Sequence, residues 1–196
     1  MNSQTSNTLS SKSKITTKQL VLCGLFTALT AIGAFIQVPV PFMDYFTLQF
    51  LFVILSGMIL GSRLGFISIG AYVLMGLIGL PIFAAGGGIQ YVLRPSFGYL
   101  LGFILTSFVV GLLCEKVSTP TFKSYLPIAL CGLVVTYTIG FLYKYFILNF
   151  YLGEPTGLWV IVAASLPLDI PGDAILCIIA SLIGVKLYKP LKNMGI

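Results

Sequence analysis

The chain has 196 residues, 58% of them hydrophobic and 8% charged, with a mean hydropathy of +1.04. Soluble domains carry roughly 25% charge and about 45–50% apolar residues, so this composition is that of an all-α integral membrane protein. At roughly 20 apolar residues per spanning helix, the length holds six helices with short connections and leaves no room for a soluble motor. No phosphate-binding G-x-x-x-x-G-K-[ST] loop is present, nor even a Gly-Lys dipeptide. Uphill transport would therefore draw its energy from a partner or an ion gradient.

In chain order, residues 1–14 are polar and hold Lys12 and Lys14. They predict a disordered cytoplasmic tail over 1–17, ahead of a six-helix transmembrane domain over 18–190. The first apolar run, 20–38, is too long for the core of a secretory signal and stays as a span. Later runs fall at 47–60, 64–80, 95–114, 126–148 and 158–187. The second is short: about 14 residues rise about 21 Å, against a hydrocarbon core of roughly 30 Å. Between the third and fourth runs, residues 81–94 are apolar yet rich in glycine. Irregular backbone at membrane depth persists only when buried in protein or lining a cavity, so this segment predicts a re-entrant or capping loop over a pocket.

Cations orient the chain. With the amino terminus inside, the inner loops hold Lys12, Lys14, Lys18, Arg63, Lys116, Lys123, Lys186, Lys189 and Lys192, and the outer side only Arg94 and Lys144. Nine against two predicts a multi-pass protein of the bacterial cell membrane with both termini cytoplasmic. Single, scattered cations also exclude a nucleic-acid-binding face. Arg94 and Lys144 then have two readings: snorkelling to headgroups, or holding an anionic ligand group.

Histidine is absent, and the acids are Asp44, Glu115, Glu154, Asp169 and Asp173. That excludes histidine-based metal sites, haem ligation and a Ser-His-Asp triad; no metal site and no cofactor is expected. Cys23, Cys114, Cys131 and Cys177 form no C-x-x-C pair and read as small core hydrophobes. No nucleophile has a recognisable base beside it, so the chain does not read as an enzyme. Asp169 and Asp173, four residues apart around Pro171 and Gly172, sit where a helix breaks or starts. They read either as helix caps or as a functional pair, because intramembrane carboxylates are functional candidates by default. Gln90, Tyr91, Phe97, Tyr99, Tyr137, Tyr143, Asn149 and Trp159 complete the composition of a pocket with apolar walls and a few placed polar groups.

The run Gly79-Leu-Pro-Ile-Phe-Ala-Ala-Gly-Gly-Gly, followed by Pro95-Ser-Phe-Gly-Tyr-Leu-Leu-Gly-Phe103 and then Pro171-Gly-Asp173, resembles the BioY family, the biotin-specific substrate-binding (S) components of energy-coupling-factor (ECF) transporters. The likeness covers about residues 18–188 and includes Leu48-Gln49 and Gly61-Ser-Arg-Leu-Gly65. It implies a six-helix subunit that captures biotin on the outer face. Its partners would be a transmembrane coupling (T) subunit and two ATP-binding subunits. On this reading Asp173 accepts a ureido N–H, Gln90 or Asn149 meets the carbonyl or second N–H, and Arg94 neutralises the carboxylate, with Tyr91, Asp169 and Lys144 nearby. Similar proteins often place a Lys four residues after the Pro-Gly-Asp aspartate; here that position is Cys177, and Lys144 is the cation that can compensate. In the family an Ala-x-x-x-Ala pattern on the first helix docks the coupling subunit. Here the small residues Gly24, Thr27, Ala28, Ala31 and Ala34 run along the first span without a strict match, and Gly24, Ala28 and Ala31 are the docking candidates, ordinary helix packing being the alternative. A proton-coupled permease for a small organic solute, titrating Asp169 or Asp173, is the competing function.

Overall fold

The architecture is a bundle of membrane-spanning helices. A computed structural model of the chain describes residues 15–39, 45–165 and 169–193. All but residues 15–17 of the expected amino-terminal tail, together with Asp44, lie outside the described residues. Helix α1, Thr17–Phe35, starts at a reciprocal cap: Gln19 N–H donates to Thr16 Oγ1 at 3.3 Å, and Thr16 N–H to Gln19 Oε1 at 3.0 Å. Strands β1 (Gln37–Pro39) and β2 (Tyr45–Thr47) follow, antiparallel with Val38 opposite Phe46. They are a small departure from an all-helical chain.

Helix α2, Gln49–Leu77, contains the expected second and third spans, and its two arms fold back on each other at Gly61. Along a straight helix Gln49 and Tyr72 would lie about 35 Å apart, yet Gln49 Nε2 donates to the Tyr72 hydroxyl. Gly61 has φ 77, which a residue with a Cβ adopts only under strain. The opening of the second arm is capped from elsewhere: Ser62 N–H and its hydroxyl donate to Glu115 Oε1 at 2.7 and 2.9 Å. A carboxylate at that helix start complements the unpaired N–H groups and the helix dipole.

Helices α3 (Phe97–Glu115) and α4 (Phe122–Phe146) cross closely, and α4 runs on into a π turn, Ile147–Tyr151. A short α5, Leu158–Ser165, precedes α6, Asp169–Asn193. Both begin within the expected sixth span, 158–187, of which residues 166–168 lie outside the described residues. Pro171 falls in the first turn of α6, where its missing N–H costs nothing. Counting both arms of α2, the helical passes among the described residues number six.

Packing centres on α2. Val53, Ile54, Ile69 and Tyr72 are fully buried and share one core with Phe50, Val110, Tyr125 and Cys177. Thr27 of α1 ties to the second arm by donating to the Ser68 carbonyl at 2.9 Å. Outward, the bundle presents Leu74, Val134, Ile175 and Leu182, an apolar exterior suited to lipid rather than water.

Candidate functional site

One end of the bundle gathers the start of α2, the starts of α3 and α6, and the end of α4. These elements surround a half-open cavity of about 350 Å³ whose lining includes Thr47, Gln49, Ala84, Tyr91, Tyr99, Tyr137, Lys144, Asp169 and Asp173. The size suits a small organic molecule. Turns at Gly61 and between α3 and α4 lie at the opposite end.

The floor is a buried hydrogen bond: Tyr137 O–H donates to Asp173 Oδ2 at 2.9 Å, with both residues under a tenth exposed. Tyr99 packs edge-on against Tyr137, with ring centroids 5.7 Å apart. This placement follows from two sequence features. Thr136 and Tyr137 sit where α3 and α4 touch through Gly102, whose absent side chain would otherwise meet the Thr136 carbonyl at 2.9 Å. Gly172, beside Asp173, lets the Phe46 ring of β2 close in: a Cβ there would meet it at 2.6 Å. The glycine of Pro-Gly-Asp thus makes room for one cavity wall, while the aspartate supplies the acceptor.

A second network joins the wall to the glycine-rich loop. Thr47 O–H donates to Gln49 Oε1 at 3.0 Å, Gln49 Nε2 donates to the Tyr72 hydroxyl, and Tyr72 O–H donates to the Ile82 carbonyl at 3.0 Å. The loop turns back on itself between Phe83 and Gly86, and Phe83 is buried between Tyr72 and Tyr91. Ala84 and Tyr91 are its contributions to the cavity lining.

Of the seven residues expected at a binding site, Tyr91, Lys144, Asp169 and Asp173 line this cavity, and three do not. Gln90 is exposed on the 3₁₀ turn Ile89–Leu93. Arg94 is exposed, its guanidinium 5.5 Å from the centroid of the Tyr91 ring, a cation–π arrangement. Asn149 braces a loop: its amide donates to the Tyr145 and Thr156 carbonyls at 2.9 Å each and accepts from Thr156 N–H at 3.0 Å. That leaves its side chain committed to backbone. Trp159, at 83% exposure, faces outward. Phe97 and Tyr143 pack together beside the cavity, and the Tyr143 hydroxyl donates to the Val92 carbonyl.

Residues that the aromatic and charge pattern did not point to are Phe46, Thr47, Gln49, Ser96 and Thr136. Gln49 was visible only as part of the Leu-Gln resemblance; Phe46 and Thr47 reach the cavity through strand pairing that has no pattern in three-residue segments. On α1 the small-residue stripe divides. Thr27 and Ala34 are buried against the bundle, Ala31 is half-buried, and Gly24 and Ala28 open outward.

A helical membrane bundle with a half-open cavity, aromatic walls and a buried acceptor at its floor is a solute-binding membrane subunit. Residues 5–193 match the BioY family, and the chain belongs to that family. It is 41% identical to the "Probable biotin transporter BioY" of Lysinibacillus sphaericus, covering 90% of each chain. It is 39% identical to the "Biotin transporter BioY" of Thermotoga maritima, covering 88% of this chain and 96% of that one. The fold superposes with a TM-score of 0.74, at 28% identity over 88% of this chain and 91% of the other, on the crystal structure of the S-component for biotin from an ECF-type ABC transporter.

Proposed function

We propose that this chain captures biotin with high affinity and serves as the S component of an ATP-driven ECF transporter, engaging a T subunit and two ATP-binding subunits. The observation that carries the ligand assignment is the Asp173–Tyr137 pair at the floor of an aromatic cavity. Biotin has a ureido ring with two N–H donors, an apolar thioether ring and a carboxylate on a flexible chain. A buried acceptor meets a ureido N–H, and Tyr91, Tyr99 and Phe103 supply apolar walls. An analogue without the ureido group would leave the second Asp173 carboxylate oxygen without a donor, a penalty of about 1–3 kcal/mol and the source of selectivity.

The cation count supports an orientation with the cavity end outside and both termini in the cytoplasm of a bacterium. On α1, Gly24 and Ala28 present a small-residue surface that lets a partner helix approach closely, the surface proposed for the T subunit. Mass spectrometry of ligand released from freshly purified protein tests the assignment: biotin is expected, and thiamine, riboflavin or an empty protein that fails to bind added biotin would refute it. Uptake driven by a pH gradient in proteoliposomes without ATP-binding subunits would instead establish the proton-coupled permease.

A further inference from the structure

At the cavity end of the bundle, α4 passes into the π turn Ile147–Tyr151, residues 152–157 form a tip, and α5 leads towards α6. The tip is polar and closed on itself. Glu154 N–H donates to the Leu148 carbonyl at 2.9 Å, Asn149 holds Thr156 through both its amide and its carbonyl, and Gly153 turns the chain at φ 70. Directly after it comes α5, Leu-Trp-Val-Ile-Val-Ala-Ala-Ser, which has no charged residue. Its eight residues rise about 12 Å, less than half of a roughly 30 Å hydrocarbon core, so α5 does not cross a membrane.

Nor is α5 built for water. Ile161 is buried against the bundle, while the consecutive residues Leu158, Trp159 and Val160 are all exposed, a run that is unfavourable on a wet surface. The same exposure continues across the tip. Phe146 and Phe150, four residues apart, stack with ring centroids 5.7 Å apart, and both are exposed, as is Tyr151. Over residues 145–165 the single charged residue is Glu154, on the polar tip. This patch differs from the aliphatic sides of the spans by its rings. Indole and phenol combine an apolar body with one polar edge, which favours the level where headgroups meet acyl chains.

We propose that α5 and the adjoining end of α4 form an interfacial anchor that inserts Phe146, Phe150 and Trp159 among the lipids of the leaflet at the cavity end. The tip is wet, and α5 enters that leaflet beneath it without crossing. Trp159 sits about 5–10 Å into the boundary between headgroups and acyl chains. Attraction is by apolar insertion, since the patch offers no cation cluster for anionic headgroups. The helix that carries Asp169 and Asp173 into the cavity lining follows α5, so the anchor ties the start of that cavity wall to the bilayer. The placement is independent of which solute the cavity holds.

Trp159 is the single tryptophan of the 196 residues, so the unaltered chain carries its own probe. Fluorescence of the full-length protein in phosphatidylcholine vesicles tests the anchor. Emission is expected to be blue-shifted from that of N-acetyltryptophanamide in water. Lipids brominated near the headgroup end of the acyl chain should quench it at least about twofold more than lipids brominated near the chain end. Replacing a third of the lipid by phosphatidylglycerol should leave this pattern unchanged. Moving the probe with Trp159→Phe and Phe150→Trp should reproduce it from the other side of the tip. Emission at the water position with full quenching by iodide overturns the proposal, because α5 then stands in solvent. Stronger quenching from the chain end also overturns it, since α5 would then lie deep in the membrane. So does shifted emission that neither iodide nor any brominated lipid quenches, the result expected if a second copy or another protein covers the patch. Loss of lipid quenching on omitting phosphatidylglycerol would replace apolar insertion by charge recognition and overturn it as well.

Discussion

Replacing Asp173 by Asn isolates the acceptor at the cavity floor with almost no change in volume. In the native chain Asp173 Oδ2 takes the Tyr137 hydroxyl at 2.9 Å, and the other carboxylate oxygen remains for a ligand donor. In the variant the amide oxygen still accepts from Tyr137, but the amide N–H₂ then meets the ureido N–H donor to donor. A hydrogen bond to a charged group contributes about 1.5–3 kcal/mol, and each 1.4 kcal/mol is about tenfold. The dissociation constant for biotin should therefore rise roughly 10- to 100-fold, with little change in melting temperature. Titration calorimetry in detergent reads the affinity, and a biotin analogue methylated on the ureido nitrogen provides the control, since it should bind the native and variant proteins with similar affinity. Tyr137→Phe separates the two roles: it leaves Asp173 without its donor and should lower stability by about 1–3 kcal/mol. Biotin affinity within about twofold of native in a stably folded Asp173→Asn protein would refute the reasoning.

Three other outcomes follow from particular contacts. Gly61→Ala forces a Cβ onto a backbone at φ 77 and within 2.7 Å of Glu115 Oε1; thermal unfolding should show a loss of about 1–3 kcal/mol, and an unchanged transition would mean the α2 turn is not held as described. Gly24→Leu places a side chain where a Cβ meets nothing within 4 Å among the described residues. Biotin binding and melting should stay native while co-purification with the T subunit is lost, and retained co-purification would move the docking surface elsewhere. Asn149→Ala removes three hydrogen bonds to backbone and should cost stability by about 1–3 kcal/mol; a biotin-specific affinity loss with native melting would return Asn149 to the binding site.

Apolar run length, cation asymmetry and glycine or proline punctuation are properties of short segments, and they were legible without tertiary structure. They predicted six passes, a break before Asp173 and an irregular glycine loop, and the motif spacing identified the family. The last apolar run, read as one span over 158–187, is helical over 158–165 and again from Asp169 among the described residues. Side-chain choice at the site was only partly legible. Asp173, Asp169, Lys144 and Tyr91 stood out as polar or aromatic residues in apolar surroundings, and the fold brings all four to one cavity. Gln90, Arg94 and Asn149 stood out equally and are turned away, since a difference of one or two residues along a turn rotates a side chain from one face to another. Gln49 and Thr47 belong to the cavity only because α2 doubles back at Gly61 and sets Gln49 against Tyr72. The sequence by itself determined which segments cross the membrane and which polar residues are scarce enough to matter. Which of those residues share a cavity was decided by helix rotation and by contacts between distant segments, and neither is encoded in local pattern.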